Sequence, residues 1–321
     1  MQNLDEFTKY FQQTIYEIKR VSHNGNNAIY VVNTETGKFI FKRYFKHYDS
    51  WNRGVSEFNA LSFLSQKELP VPNALKFYQP DVGIYSFNEG SPVLGKNVAL
   101  EDIKKAAYFL ARVHNFNETD KIQFGPASSA CLSLADYIKV IDKRYSRIVG
   151  FVDSDTPIKT RRLVLEDVAK KIQDVKTRFF HDSSGLDLES QLSLRDQVLT
   201  PADFGFHNIL KNKTEYTFID FEYFGRDDPA RQLLDFFHHG SSREISPDLK
   251  KLFLNEYFGK ISSDKKISED RLKILDPLIG ITWALICLNA VNRDYNIHIE
   301  GREELARQRI SEAEERLEQI K

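Results

Sequence analysis

Two hydrophobic patterns run along the chain, and the first predicts a β-rich N-terminal part. A strand is predicted at Ile15–Val21, and a second at Ala28–Asn33, which is rich in β-branched and aromatic residues. Lys38–Tyr44 alternates as a third strand. A further strand is predicted at Gly83–Phe87, and the polar turn after the first strand contains Gly25. Short turns between such strands favour a small antiparallel sheet.

The second pattern is helical and dominates the chain after residue 100. Apolar residues recur there at three- and four-residue steps, which is the spacing of one helix face. The predicted helices, including two before residue 100, are Leu4–Gln13, Trp51–Gln66, Leu100–His114, Leu132–Ile148, Leu163–Phe179, Leu186–Leu194, Pro247–Phe258, Arg271–Arg293 and Arg302–Ile320. The apolar run Leu278–Val291 is too short to span a bilayer and is interpreted as a buried helix.

A cluster of chain-breaking residues, Asn88-Glu89-Gly90-Ser91-Pro92, lies between the two patterns. We interpret it as a linker between residues 1–88, a small N-terminal lobe, and residues 89–321, a larger and mostly helical C-terminal lobe. The chain is therefore predicted to be an α+β protein with its sheet and most of its helices in separate parts.

Composition and charge narrow the possible functions. The 321 residues are 41% hydrophobic and 28% charged, with a formal net charge of -1; a nucleic-acid partner is not expected without a basic excess. The N-terminus has early acidic residues and no apolar core, so neither a signal peptide nor a membrane partner is expected. Cys131 and Cys287 are isolated in sequence, as in a protein of the reducing cytoplasm.

The stretch Leu199–Pro229 carries three polar residues that one reaction needs together. Asp203 lies in a loop, Asn208 follows five residues later, and Asp220 ends the short apolar strand before it. This spacing is typical of a phosphotransferase catalytic loop, in which the first Asp accepts the proton of the attacking hydroxyl. The Asn and the second Asp there bind magnesium, and a hairpin brings them side by side.

A second register of the same motif is excluded by the residues themselves. Asp203-Phe204-Gly205 spells DFG, and Asp196 ends an HRD-like Leu194-Arg195-Asp196. Five residues after Asp196 stands Pro201, which has no side-chain ligand for a metal ion. Asp203 is therefore predicted to be the base, and Asp220 the metal-binding residue.

Two charged residues of the N-terminal part have both a functional and a structural interpretation. Lys42 is flanked by apolar residues on a predicted strand, from which a lysine can reach nucleotide phosphates; the alternative is an exposed lysine on an edge strand. Glu57 lies on the helix Trp51–Gln66 and could hold the lysine, or it could be a surface glutamate. The turn at Gly25 lacks a full GxGxxG and is a weak phosphate signal by itself.

The order of these residues resembles the aminoglycoside phosphotransferase and choline kinase family, the small-molecule branch of the protein-kinase-like fold. The resemblance extends from Ile15 to Phe258. Its most specific part begins at Asp203 and is similar to the family pattern D-x-x-x-x-N-I-L, then I-D-[WF]-E and D-P. It implies a small N-terminal lobe with an antiparallel sheet plus one helix, and a larger, mostly helical lobe.

The resemblance also implies a role for individual residues. ATP would be bound by Gly25, Lys42, Glu57, Ser86, Phe87 and Asn88, the last three at the hinge that holds the purine. Asp203 would be the catalytic base, and Mg²⁺ would be held by Asn208 and Asp220. Two departures stand out: Pro201-Ala202 replaces the His-Gly that precedes the base, and Gln232 replaces an Asp, whose supporting place Asp235 could take.

The implied reaction is transfer of the γ-phosphoryl group of ATP to a hydroxyl of a sugar, amino sugar or amino alcohol. Candidate residues of the acceptor site are Glu222, Tyr223, Asp228 and Trp283. Acidic residues there suit a cationic acceptor. The alternative is that Trp283 belongs to the core and Asp228 caps a helix, and a neutral acceptor is equally open.

Two other functional classes are weighed against this one. A nucleotide-binding regulator without chemistry would be marked by loss of Lys42, Asp203 or Asp220, and all three are present. A protein kinase is disfavoured because the segment from Asp220 to Asp228 is too short for a long activation loop.

Overall fold

The computed structural model describes residues 4–21, 27–45, 51–94, 97–262, 267–294 and 301–320. Gly25, predicted to contact phosphate, lies outside the described residues. Packing divides the chain into two compact units: unit 1 comprises Met1–Phe109 and Pro201–Phe224, and unit 2 comprises Leu110–Thr200 and Gly225–Lys321. The lobe boundary placed after residue 88 rests on the linker pattern and stays a prediction.

The secondary structure contains both predicted patterns. The strands are β1 (Ile15–Arg20), β2 (Asn27–Thr34), β3 (Gly37–Tyr44), β4 (Ala74–Tyr78), β5 (Val82–Ser86), β6 (Ser91–Pro92), β7 (Val198–Thr200), β8 (Ile209–Asn212), β9 (Glu215–Phe218) and β10 (Gly225–Asp227). The helices are α1 (Leu4–Phe11), α2 (Arg53–Gln66), α3 (Leu100–His114), α4 (Glu118–Lys121), α5 (Leu134–Val149), α6 (Ile158–Arg162), α7 (Ala169–Asp182), α8 (Pro229–His238), α9 (Pro247–Phe258), α10 (Glu269–Cys287) and α11 (Arg302–Gln319). A π-helical segment at Leu163–Val168 joins α6 to α7.

A five-stranded antiparallel sheet in the order β1-β2-β3-β5-β4 forms much of unit 1. Lys42 on β3 is paired with Ile29 on one side and with Gly83 on the other. The lysine therefore lies on the central strand, which removes the edge-strand alternative. Apolar residues of the sheet and of α1 form its core, namely Phe7, Val32, Phe41, Val82 and Ile84.

Helix α2 places a carboxylate against this sheet. Its first turn is capped by Asn52, whose side chain accepts a hydrogen bond from the backbone N–H of Val55. Glu57 and Leu64 are seven residues apart and so share one helix face. Both are buried, and Glu57 is only 4% exposed. The surface-glutamate alternative is therefore wrong.

Unit 2 is organised around helix α10. Helices α5, α7, α8 and α11 pack against it, and the run Leu278–Leu285 lies in its hydrophobic core. The prediction of a buried helix here is confirmed. By length and composition alone, the stretch Glu269–Val291 could also cross a membrane, but 61% of its most apolar window is buried inside the protein, a feature shared with core helices of soluble proteins.

One predicted helix is wrong. Residues Leu186–Leu194 form turns and extended segments instead. The backbone of this stretch bonds to the start of α5: Ala135 N–H donates to Leu188 O at 2.9 Å, and Leu192 N–H donates to Leu132 O at 2.7 Å. These bonds occupy backbone groups that would bond within the segment if it were a helix. Leu188 and Leu192 are therefore the points at which the segment attaches to the start of α5, and their spacing does not mark one face of a helix.

Gly225 permits a close backbone approach in unit 2. A Cβ atom at this position would lie 2.5 Å from the backbone nitrogen of Ala127, whose N–H donates to Arg226 O. We expect Gly225→Ala to lower the free energy of unfolding by about 1–3 kcal/mol, because the backbone of β10 must move. Urea denaturation measures this. Gly240→Ala is the matched control, since its Cβ would meet no atom within 4 Å; an equal loss there would contradict the steric explanation.

Candidate active site

The loop that carries Asp203 is held by its own backbone. Asp203 N–H donates to Pro201 O at 2.9 Å, and the side-chain amide of Asn208 donates to Asp203 O at 3.0 Å. The Asn208 amide nitrogen is thereby turned toward the loop, which leaves its amide oxygen as the atom suited to a metal ion. The carboxyl group of Asp203 is about one-third exposed and lies 3.7 Å from Nε2 of His207.

The hairpin β8–β9 returns Asp220 to the side of Asn208. Ile209 is paired with Phe218, and Ile219 N–H donates to Asn208 O at 3.0 Å. Asp220 then adopts the left-handed conformation with φ of 67°, which Asp tolerates better than most residues. The predicted base and both predicted metal ligands therefore belong to one short, hydrogen-bonded segment of unit 1.

Lys42 lies at the centre of a group of carboxylates. Its Nζ is 2.6 Å from Oε2 of Glu57, 2.8 Å from Oδ1 of Asp220 and 3.7 Å from Oε2 of Glu222. Tyr44 also donates to Oε2 of Glu57 at 2.7 Å. The lysine and the helix glutamate thus form the predicted pair, and the same ammonium group contacts the predicted metal-binding Asp.

Burial and charge act in opposite directions on these groups. Burial alone would lower the pKa of Lys42, but the carboxylates of Asp220 and Glu57 outweigh it and hold that pKa well above its usual value. Burial raises the pKa of Glu57 although Lys42 opposes the change. Burial also raises the pKa of Glu222 to about 7, against the influence of Lys42. The direction of this pKa shift favours the positively charged form of Lys42.

The donor atoms of this region suit a hard divalent cation. Glu57, Asp220 and Glu222 each offer a carboxylate oxygen within 4.8 Å of one another. The ammonium group of Lys42 lies among them, and Asp220 is the one whose side chain is partly exposed, at 32%. The amide oxygen of Asn208 is a neutral donor of the kind that Mg²⁺ accepts. Mg²⁺ prefers oxygen ligands and keeps several water molecules, so one or two protein carboxylates are sufficient.

The predicted hinge follows strand β5. Ser86 is paired with Phe39 at the end of the strand, and its hydroxyl group accepts from Asn73 N–H at 2.9 Å and donates to Oδ1 of Asn88 at 3.2 Å. The ring of Phe87 lies 5.6 Å from Nζ of Lys38. These contacts fix the backbone between β5 and β6, where the purine contacts are predicted.

The four residues predicted for the acceptor site fall into both units. Glu222 is 5% exposed in unit 1, and the guanidinium group of Arg53 lies 5.0 Å above the ring of Tyr223. In unit 2, Asp228 is 1% exposed and caps α8 by accepting from Ala230 N–H at 2.8 Å. Asp228 therefore does cap a helix, as the alternative interpretation proposed. A role of Asp228 in binding the acceptor stays a prediction.

The remaining unit 2 residues are tied to one another. Trp283 Nε1 donates to Oδ1 of Asp235 at 2.9 Å, and Oδ2 of Asp235 lies 3.3 Å from Nε of Arg231. Gln232 accepts a hydrogen bond from the hydroxyl group of Thr200. Both candidates for the family's supporting Asp position therefore have structural partners in unit 2.

Sequence reasoning did not identify Asn27 and Arg53. Asn27 Nδ2 donates to Oε2 of Glu222 at 2.5 Å, and Arg53 Nη1 donates to Oε1 of Glu222 at 3.2 Å. Asn27 is 195 positions from Glu222 in sequence, and Arg53 is 169 positions from it. No local sequence pattern predicts contacts over such separations.

Ala202 stands where the family pattern has glycine, and its backbone is strained. Its φ is 64°, a left-handed conformation that costs an alanine roughly 1–2 kcal/mol. We expect Ala202→Gly to raise the free energy of unfolding by up to about 1 kcal/mol, since part of the gain is offset in the unfolded chain. Ala106→Gly, inside α3, is the control and should destabilise by at least about 1 kcal/mol, because the helix loses propensity and a buried methyl group is removed. A lower urea midpoint for Ala202→Gly would contradict the strain argument.

Comparison with known proteins agrees with this geometry. The model of the phosphotransferase enzyme family matches residues 17–265, a range that includes Lys42, Asp203 and Asp220. The chain therefore belongs to the phosphotransferase enzyme family, and the sequence-based assignment to a phosphotransferase is confirmed. No curated protein sequence matches the chain significantly.

Solved structures share the fold at low sequence identity. The choline kinase LicA from Streptococcus pneumoniae is 17% identical with a TM-score of 0.65, and the match covers 98% of this chain and 96% of that one. A choline kinase from Cryptosporidium parvum is 16% identical with a TM-score of 0.63, covering 95% and 89%. A spectinomycin phosphotransferase is 15% identical with a TM-score of 0.63, covering 99% and 97%. The predicted protein-kinase-like α+β fold is confirmed.

Proposed function

We propose that this protein is an ATP-dependent kinase that phosphorylates a hydroxyl group of a small molecule. The observation that carries the proposal is the contact of Lys42 with both Glu57 and Asp220, at 2.6 Å and 2.8 Å. A buried lysine held between a helix glutamate and a metal-type Asp is the arrangement that kinases use for nucleotide phosphates. Membership of the phosphotransferase enzyme family supports the same reaction class.

The proposed chemistry is an in-line transfer. The acceptor oxygen attacks the γ-phosphorus of ATP, a new O–P bond forms, and the bond from that phosphorus to the bridging oxygen of ADP breaks. The carboxylate of Asp203 orients the acceptor hydroxyl and takes its proton. Lys42 neutralises charge on the phosphate oxygens, and Glu57 keeps the lysine in place.

Magnesium would be held by Asn208 and Asp220. When bound, Mg²⁺ would supply positive charge that stabilises the negative charge developing during transfer. The carboxylate of Asp220 and the amide oxygen of Asn208 supply the oxygen donors that this ion prefers.

The proposed acceptor is a small molecule that carries a hydroxyl group. Structurally similar proteins include choline kinases, an ethanolamine kinase, and phosphotransferases for spectinomycin and macrolides, so amino alcohols and amino sugars are the first candidates. The contacts of Asp228 and Trp283 do not favour one of these classes over another.

A panel of acceptors tests the proposal. The protein is incubated with Mg²⁺, ATP and choline, ethanolamine, spectinomycin, a macrolide or simple sugars, and each acceptor is analysed by mass spectrometry for an added phosphoryl group. We expect one class to be phosphorylated. Tight binding of MgATP with no phosphorylation of any acceptor would instead support a regulatory role for the nucleotide.

A further inference from the structure

Glu222 is a buried acid, and within the described residues its carboxyl group contacts the basic side chains of Lys42 and Arg53 and the amide of Asn27. It is 5% exposed. Oε2 accepts from Nδ2 of Asn27 at 2.5 Å and lies 3.7 Å from Nζ of Lys42, while Oε1 accepts from Nη1 of Arg53 at 3.2 Å. Both oxygens are therefore directed into unit 1, toward the sheet and α2.

These partners come from three separate elements. Asn27 is the first residue of β2, Arg53 is the first residue of α2, and Lys42 lies on β3. Trp51, just before α2, adds a hydrogen bond from its Nε1 to the backbone oxygen of Glu222 at 2.7 Å. One residue thus connects the entry of β2, the entry of α2 and the phosphate-type lysine.

Glu222 also stands two residues after Asp220 on the same turn. Because Phe221 N–H donates to Oε1 of Glu57 at 3.4 Å, the turn that carries Glu222 also contacts Glu57, and both glutamates face Lys42. A shift of Glu222 would therefore change the separation of Lys42 and Asp220, the two groups proposed to bind phosphate and metal.

The charge of Glu222 matters because its surroundings are buried. Arg53 is 7% exposed and Lys42 is 4% exposed. If either cation lost its contact with the Glu222 carboxylate, bulk water could not replace it, and the buried charge would be left at a cost in free energy. Among the described residues, Oδ1 of Asn27 has no hydrogen-bond partner, which makes the bond to Glu222 the anchor of that side chain.

We infer that Glu222 is a positioning residue that clamps β2, α2 and Lys42 onto the turn that carries Asp220, and so presets the site for the phosphates of MgATP. The inference rests on the proposed kinase function. This role differs from the predicted contact of Glu222 with the acceptor, which stays a prediction. Because the purine is predicted to bind elsewhere, at Ser86–Asn88, the clamp should act on the phosphate end of the nucleotide only.

Glu222→Gln tests the charge of the side chain while it keeps the side-chain shape. The amide fills the same volume, and Asn27 can invert its side chain to accept from the new donor. In measurements above pH 7, where the Glu222 carboxyl group with its pKa of about 7 is mostly ionised, the substitution removes the negative charge that lies beside Lys42 and Arg53. Glu222→Asp restores the charge on a shorter side chain and serves as the rescue variant. Arg53→Met removes the partner on the other oxygen.

The experiment measures the dissociation constants of MgATP and of adenosine by calorimetry for each variant. We expect Glu222→Gln to bind MgATP at least about tenfold more weakly and to bind adenosine as the wild type does. Glu222→Asp should recover part of the loss. In the double variant with Arg53→Met, the two losses should not add, because both substitutions break one clamp.

Asp102→Asn is the matched control in the same unit. Asp102 is also buried, at 2% exposure, and its carboxylate lies 2.7 Å from Nζ of Lys211, outside the proposed site. This variant should keep the wild-type affinity for both ligands.

Three outcomes overturn the inference: unchanged MgATP affinity in Glu222→Gln, equal loss of MgATP and adenosine, or an equal loss in Asp102→Asn. The first would show that the clamp is dispensable, and the others would indicate general loosening. Failure of the proposed function is a different result, namely a wild-type protein that does not bind MgATP.

Discussion

Asp203→Asn is expected to reduce turnover by about 10²–10⁴-fold, the usual contribution of a positioned general base. The asparagine side chain has the same shape and cannot accept the acceptor's proton. The affinity for MgATP should change little, because Lys42, Asn208 and Asp220 are untouched. Initial rates of ADP formation in the presence of an acceptor, together with calorimetry of MgATP, measure both quantities.

The matched control for this variant is Asp196→Asn. Asp196 would be the base in the alternative register, and in the structure its carboxylate accepts from the hydroxyl group of Ser193 at 2.7 Å. Turnover should be unchanged in this variant. If Asp196→Asn is inactive while Asp203→Asn works at the wild-type rate, the register of the catalytic loop is wrong.

Asp220→Asn is expected to have a comparable effect through the metal ion. Asparagine tolerates the left-handed φ of 67° at this position, so the backbone can stay as it is. The substitution removes one of the negative charges that would hold Mg²⁺ and also face Lys42 at 2.8 Å. We expect turnover to fall by at least about 100-fold, and the Mg²⁺ concentration for half-maximal rate to rise.

Glu215→Gln provides the control on the same hairpin. Glu215 is exposed at the start of β9. Its substitution by glutamine removes the same amount of negative charge away from the proposed site. A titration of activity with Mg²⁺ compares the two variants. An Asp220→Asn protein with the wild-type rate and Mg²⁺ dependence would show that this Asp does not hold the metal ion.

The local parts of the candidate site were predictable because their geometry is encoded within a few residues. The interval from Asp203 to Asn208 fits one loop, and the hairpin that returns Asp220 follows directly from two short strands. Lys42 and Glu57 indicated a nucleotide site only when considered together, since each residue alone has an ordinary structural interpretation. The central position of β3 and the buried face of α2 decided between the alternatives, and both depend on tertiary packing.

The parts that could not be predicted depend on long-range pairing. Asn27 and Arg53 meet Glu222 across most of the chain, and nothing next to them in sequence indicates a buried partner. Glu222 is predicted at the acceptor site, and that role stays a prediction; what the sequence did not indicate are its bonds to Asn27 and Arg53. The missing helix at Leu186–Leu194 has a related cause, because bonds to the start of α5 outweigh its apolar spacing.

The most direct test of the account is the transfer of a labelled γ-phosphoryl group from ATP to a small acceptor, with wild-type protein and Asp203→Asn compared in parallel. The account predicts a phosphorylated acceptor that requires Mg²⁺ and the wild-type Asp203. A protein that consumes ATP equally well with Asp203→Asn, or that forms no phosphorylated small molecule from any acceptor class while binding MgATP, would contradict it.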